Sequence, residues 1–206
     1  MIPAASQFIP LRKDKVVIVN SNPKIQVRQT AIADVVIIEP KVFSDQRGWF
    51  TESFNAQDFA RVTNLNIPFV QDNHSFSKQW TLRGLHYQIQ HPQGKLVRVI
   101  SGSVFDVAVD LRRDSNTFGQ WIGEELSAEN RKQLWIPAGF AHGFLVLSPS
   151  AEFLYKTTDY YDPGSEVCLR WCDPTVAISW PIPPGKGALL NSKDAAGLSW
   201  NQIPKF

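Results

Sequence analysis

In the stretch LRGLHYQI, Leu82 to Ile89, an arginine and a histidine sit three apart among apolar residues fit for a strand. A core position ordinarily takes neither. Further along, Lys95 begins KLVRVI, His142 lies in PAGFAHGF, Tyr155 in EFLYK and Asp194 in NSKDAAG, while QDNHS supplies Gln71, Asn73 and His74. Singly, each has a plain reading. A lone histidine in a β-protein is usually a surface or hydrogen-bonded residue, which suits His74 and, more strongly, His91. A lysine opening a strand is usually an edge charge, and Tyr155 alone is an aromatic with its hydroxyl at the rim of a core. Together they could perform acid-base chemistry. A neutral imidazole at His86 can take a proton from carbon beside a carbonyl, provided the Lys95 ammonium steadies the enolate oxygen that forms. A carboxylate orienting the other ring nitrogen improves such a base, and Asp194 is a candidate. Tyr155 could then return a proton to the opposite face of the same carbon. Removal on one face and return on the other is epimerisation.

Residues so far apart in sequence meet only if a fold gathers them. From Ala33 onward the chain runs in short β-type stretches bounded by Gly, Pro, Asn and Ser: VVIIEP, KLVRVI, SVFDVAVDL, FGQWIGEEL, QLWIPAG, AHGFLVLS and EFLYKTT. Ser101-Gly102 joins two alternating runs and predicts a hairpin, Gly supplying the positive φ of a tight turn. NAQDFARVTN predicts one helix, with Asn55 as N-cap and Phe59 and Val62 on one face. The proline-rich last forty residues predict loops and short helices wrapped around the strands. Strands do not alternate with helices, which excludes a parallel α/β sheet and leaves an all-β sandwich, barrel or jelly roll. Such a barrel often holds one small ligand in its mouth, so Arg83 and His86 would point into a cavity.

Composition narrows the partners. The 206 residues suit a single domain, with 43% hydrophobic and 19% charged residues as in ordinary globular chains. Net charge is +2 and the 21 Lys and Arg are scattered, which argues against nucleic acid. No apolar run is long enough to span a membrane, and MIPAASQFIPLRKDK lacks the pattern of a signal peptide. Cys168 and Cys172 lie four apart in CLRWC, on one face of a strand rather than in a disulfide framework, which suits a reducing cytoplasm. Residues 1–29 predict an extension that adds one strand or stays loose, ahead of a single domain over 30–206.

PAGFAHG and the Gly-bounded strands resemble the cupin superfamily of small jelly-roll barrels, whose metal-binding members offer two histidines one residue apart, a glutamate, and a later histidine. Here the later histidine is present as His142, but Gln88 stands two residues after His86 and Lys95 follows. An amide is a poor ligand and a nearby ammonium repels a divalent cation, so this set disfavours metal.

Longer motifs carry a closer resemblance. FSDQRGWFTESFN, FVQDNHS, LRGLHYQ, QGKLVRVISGSVFDVAVDLRRDSNTFGQW, LSAENRKQLWIPAGFAHGF and AEFLYKTTDYYDPGSE resemble the dTDP-4-dehydrorhamnose 3,5-epimerase family from about Thr30 to Asp194. The resemblance implies an all-β, cupin-type jelly roll with a few short peripheral helices, acting as a homodimer without metal or other cofactor. It also implies the substrate dTDP-4-keto-6-deoxyglucose, inverted at C3 and C5 through enolates in dTDP-L-rhamnose synthesis. By the same resemblance His86 is the base, Asp194 its partner, Tyr155 the acid, and Lys95 lies beside the enolate. His142 lines the sugar pocket and Arg83 contacts the diphosphate, which a planar guanidinium suits. Arg47, Glu52, Gln71 and Asn73 match nucleotide-binding positions, some reaching across a dimer interface. Tyr161 matches an aromatic that stacks on thymine, and Glu166 and Lys193 complete the ligand shell. Two alternatives stand beside this: a relative that epimerises one carbon or isomerises the keto group, and a silent sugar-nucleotide-binding cupin, which would have lost the base or the acid.

Overall fold

The computed structural model describes residues 18–21 and 24–206. The elements in chain order are β1 (Ile18–Ser21), β2 (Ile25–Gln29), β3 (Val36–Pro40), β4 (Val42–Asp45), β5 (Gly48–Thr51), α1 (Ala56–Thr63), β6 (Gln71–Lys78), β7 (Leu82–Gln88), β8 (Lys95–Ser101), β9 (Ser103–Asp110), β10 (Trp121–Ser127), β11 (Gln133–Ile136), β12 (Phe140–Val146), β13 (Ser150–Thr157), β14 (Glu166–Cys168) and α2 (Ser192–Ala195). Two antiparallel sheets form, in the orders β1-β2-β3-β11-β8-β13-β6 and β10-β9-β12-β7-β14, and β4–β5 stands apart as a hairpin. This is the expected all-β jelly-roll sandwich. Of the predicted extension, residues 1–17 and 22–23 lie outside the described residues. β2 pairs with β3 from Ile25↔Pro40 to Gln29↔Val36 and so extends the edge of the larger sheet.

Period-two alternation sorts the side chains into layers. Between the sheets Val97, Val99 and Phe153 of the larger one meet Val104, Ala108 and Phe144 of the smaller. The outer face of the smaller sheet presents Leu85, Val107 and Val109 to Leu169, Val176 and Ile203 of the C-terminal segment. Outside the larger sheet, Phe59 and Val62 of α1 pack on Leu96 and Trp135. That helix starts as its sequence predicts: Asn55 Oδ1 accepts the N–H groups of Gln57 and Asp58 at 3.0 and 3.1 Å.

Two local expectations are corrected. β8 and β9 are not a hairpin, because β8 pairs with β11 and β13 while β9 pairs with β10 and β12. The chain crosses from one sheet to the other at Gly102, whose φ is +75° and whose Cβ, were there one, would stand 2.0 Å from Ser150 O. The turn chemistry was legible; the partner sheet was not. Nor do the two cysteines share a face, for β14 ends at Cys168, which is buried, and Cys172 is exposed in the turn that follows. Among the described residues no helix is long and apolar enough to cross a membrane.

The space between the sheets is apolar at one end and polar at the other. Along the inward face of β8, Val99 and Val97 give way to Lys95; on β13, Phe153 gives way to Tyr155; on β12, Val146 and Phe144 give way to His142. The polar end is the part of the interior that a core does not explain.

Candidate active site

That end opens as a cavity of about 390 Å³. Arg83, His86 and His142 reach it from the smaller sheet, and Gln71, Asn73, Lys95 and Tyr155 from the larger. Glu166 of β14 also lines it, as does Tyr161, which is half exposed.

On a regular strand, residues three apart point to opposite faces. Between Arg83 and His86 the register shifts: β12 uses two steps, His142 to Phe144, where β7 uses three. This bulge restores the phase and brings both side chains to the cavity. Gly84 makes it possible, since its φ is +126° and a Cβ would lie 2.6 Å from Gly143 Cα.

His86 Nε2 lies 2.5 Å from Asp194 Oδ1. Asp194 is 1% exposed, and its backbone N–H donates at 2.7 Å to Oδ1 of Asn191, the N-cap of α2. The segment carrying it is tied to β7 and β14, with Leu82 N–H donating to Leu189 O at 3.0 Å and Leu198 N–H to Cys168 O at 2.9 Å. The imidazole is thereby oriented from behind, leaving Nδ1 on the side of Glu166, whose Oε1 is 4.0 Å away.

Lys95 Nζ crosses the interior and donates to His86 O at 3.2 Å. Burial pulls its pKa down to about 8, against the upward pull of the Glu166 and Asp106 charges. An ammonium in so dry a place would stabilise an enolate oxygen more than it could in water. Burial, with the Glu166 charge, pushes the Tyr155 hydroxyl above its usual range, so it keeps its proton to give. Tyr155 and His86 occupy opposite walls. Burial raises the Glu166 carboxyl too, but the Lys193 ammonium and the Tyr161 hydroxyl, with His86, outweigh it and hold the group below the usual carboxylate range. Lys193 Nζ contacts Glu166 Oε2 directly, and Tyr161 Oη donates to the same oxygen at 2.7 Å. Arg83 Nε donates to Ser77 Oγ at 3.0 Å, a second donor reaches Phe76 O at 3.4 Å, and the rest of the fork remains for an anion.

Gln88, where a metal-binding cupin would have histidine, has both ends of its amide occupied by backbone. It donates to His91 O and Tyr160 O at 2.8 and 3.2 Å and accepts Asp162 N–H at 2.9 Å. Together with Gln71 Oε1, which accepts Tyr161 N–H at 3.0 Å, it fixes the loop that carries Tyr161. His74 and His91 pair with Glu152 and Asp159 at 2.9 and 3.7 Å on exposed faces, the plain reading given them above.

Two residues singled out from sequence stand elsewhere. Arg47 lies on the β4–β5 hairpin with a side chain 90% exposed and paired with Asp45. Glu52 pairs with Lys24 at 3.2 Å. Neither lines its own chain's cavity.

Conversely, Asp106 was not singled out and belongs here. It is fully buried, and both its oxygens lie 3.0 Å from His142 Nε2. Burial pushes the Asp106 carboxyl up and the His142 imidazole down, each opposed by the other's charge. The signal was phase: in SVFDVAVDL, Asp106 falls in step with Val104 and Ala108 of the inner face. Because its charge helps keep Lys95 protonated, Asp106→Asn should move the alkaline limb of activity to lower pH by roughly one unit, the effect of one neighbouring charge. A pH-rate profile checks this; a lower Tm with the limb in place would reduce Asp106 to a structural role.

A base on one wall, a proton donor on the other and an ammonium beside them can deprotonate and reprotonate carbon next to a carbonyl. A model of the family described as dTDP-4-dehydrorhamnose 3,5-epimerase matches residues 29–202. The dTDP-4-dehydrorhamnose 3,5-epimerase of Pseudomonas aeruginosa is 57% identical over 182 residues, covering 88% of this chain and 99% of its own. That of Salmonella typhimurium is 57% identical over 171 residues, covering 82% and 92%. The crystal structure of dTDP-6-deoxy-D-glucose-3,5-epimerase from Legionella pneumophila, in complex with dTDP-4-keto-L-rhamnose, has a TM-score of 0.84 at 52% identity, covering 87% of this chain and 95% of that one. Matched by the family's model over most of its length and by relatives at 57% identity, the chain belongs to the dTDP-4-dehydrorhamnose 3,5-epimerase family.

Proposed function

We propose that this chain inverts C3 and C5 of dTDP-4-dehydro-6-deoxy-D-glucose, giving dTDP-4-dehydro-L-rhamnose. His86 takes the proton from carbon, the electron pair moves to the C4 oxygen beside Lys95, and Tyr155 delivers a proton to the opposite face. His86 then carries one proton too many and Tyr155 one too few, and exchange with solvent resets both. The observation that carries this reading is the His86–Asp194 contact of 2.5 Å, set across the cavity from Tyr155. Arg83 supplies donors for the diphosphate, and Tyr161 a ring for thymine, with Gln71, Asn73, His142 and Glu166 completing the lining and Lys193 joining the ligand shell through Glu166. The bound sugar nucleotide of the Legionella relative supports the substrate class.

The functional unit we propose is a homodimer. Phe43, Trp49 and Phe50 of the β4–β5 hairpin are 47%, 58% and 66% exposed. An apolar arm of this kind gains by packing on a second copy, and it would carry Arg47 and Glu52 toward the partner's nucleotide. Two free thiols suit a cytoplasmic setting.

The test incubates chelator-treated protein with the substrate in D2O and follows C3 and C5 by NMR. Deuterium at both carbons is the expected result. Deuterium at one alone would make the chain a single epimerase, and none at either would overturn the reading.

A further inference from the structure

Behind the proposed base lies a side chain the reaction does not use. Cys168 is the cross-strand partner of His86 in the β14–β7 register and is buried. Its Sγ stands 3.9 Å from Asp194 Oδ1, the same oxygen that His86 Nε2 contacts. An imidazole nitrogen, a thiol sulfur and a carboxylate oxygen thus lie within 4.8 Å of one another. We infer that this triplet is an inhibitory site for a thiophilic divalent cation such as Zn²⁺ or Cd²⁺, which inserts between His86 and Asp194 and silences the base.

The donors suit such an ion. Zinc bonds of about 2.0 Å to nitrogen or oxygen and about 2.3 Å to sulfur place tetrahedral ligands roughly 3.5 Å apart. The sulfur-to-oxygen separation is already close to that, and the His86–Asp194 contact must open, with a water from the cavity as fourth ligand. Burial pushes the thiol up to about 12, so it is no spontaneous thiolate, but a coordinated thiol gives up its proton to the metal. The proton balance is simple. The thiol proton leaves to solvent, and the imidazole proton moves from Nε2, now metal-bound, to Nδ1. Two negative ligands then neutralise the ion, which suits a buried place. An imidazole with metal on one nitrogen and hydrogen on the other has no lone pair for a substrate proton. Of these ligands only His86 also falls on a position of the metal-binding cupin pattern, whereas Cys168 and Asp194 lie outside the His86, Gln88 and His142 set.

The inhibitory effect rests on His86 being the base, whereas the binding does not, and the experiment separates them. Cd²⁺ is titrated into the Cys172→Ser protein, which lacks the exposed thiol, while thiolate-to-cadmium absorption and epimerisation rate are read together. We expect one equivalent to raise the absorption, the rate to fall in step, and a chelator to restore it. Adding Cys168→Ser, or Cys168→Ala, should leave the metal-free rate unchanged, abolish the absorption and cut Cd²⁺ sensitivity at least tenfold. Absence of the absorption, or inhibition that survives loss of Cys168, overturns the site. Absorption without inhibition overturns the inhibitory claim. A fully active His86→Ala variant overturns the base assignment instead and leaves the metal titration to stand on its absorption.

Discussion

Replacing His86 with alanine should lower kcat by on the order of a thousandfold or more, the range for losing a positioned general base. Deuterium exchange at both C3 and C5 should fall together, because one imidazole faces the ring from one wall. Binding of the nucleotide sugar, measured by calorimetry, should change little, since the diphosphate and thymine contacts we propose lie on other residues. Asp194→Asn keeps the shape behind the ring but removes the carboxylate 2.5 Å from Nε2 and should cost roughly a hundredfold or more in kcat, with KM nearly constant. The two losses should not add, because both act through one imidazole. If His86→Ala retained a tenth of wild-type turnover, the base would have to be sought elsewhere, and His142 with Asp106 behind it would be the group to test.

Lys95→Met should lower kcat by roughly a hundredfold to a thousandfold, as loss of an oxyanion donor does. Methionine has nearly the same length and tolerates the buried setting better than a charge, so folding should survive. The pH dependence gives an independent check. In the folded protein burial brings the Lys95 pKa down to about 8. The ammonium is therefore present below pH 8 and lost above it, and wild-type activity should decline as pH rises through that value. In Lys95→Met the same decline should vanish and leave a flat, low rate. An alkaline limb that persists in the variant would assign the titration to another group and count against the role given to Lys95.

Much of the architecture could be read from the chain, and the failures have physical causes. β3 and β8 to β13 declared themselves because one or both faces are apolar. β6 did not. Its inward residues Gln71, Asn73 and Ser75 line the cavity rather than a core, so QDNHSFSK shows no apolar alternation although it pairs with β13 along its whole length. The crossing at Gly102 was misread because a hairpin and a corner between sheets make the same demand on backbone torsions. Only the distant partners of β8 and β9 distinguish them. In the site, Tyr155, His86 and Lys95, the proposed acid, base and ammonium, stood out as polar residues where apolar ones belong. Asp106 is the counter-example: it too breaks an apolar run, in step with Val104 and Ala108, but β9 is apolar on both faces and alternation alone does not say which face looks inward. Cys168 was visible as a thiol, yet its closeness to His86 depends on pairing between strands 82 residues apart in number only through the fold.

The bulge in β7 has a consequence for what the protein can accept. On the roles proposed above, Arg83 at the diphosphate and His86 at the reacting carbon, these two contacts are borne by one short piece of backbone, locked between β12 and β14. They are spaced as two strand residues would be, about 7 Å, with Gly84 between them pressed against Gly143. The strand therefore works as a gauge, measuring out from the phosphates to the carbon that loses its proton. A sugar nucleotide whose acidic carbon sits one bond nearer to or farther from the phosphates would bind in register with the arginine and out of reach of the imidazole.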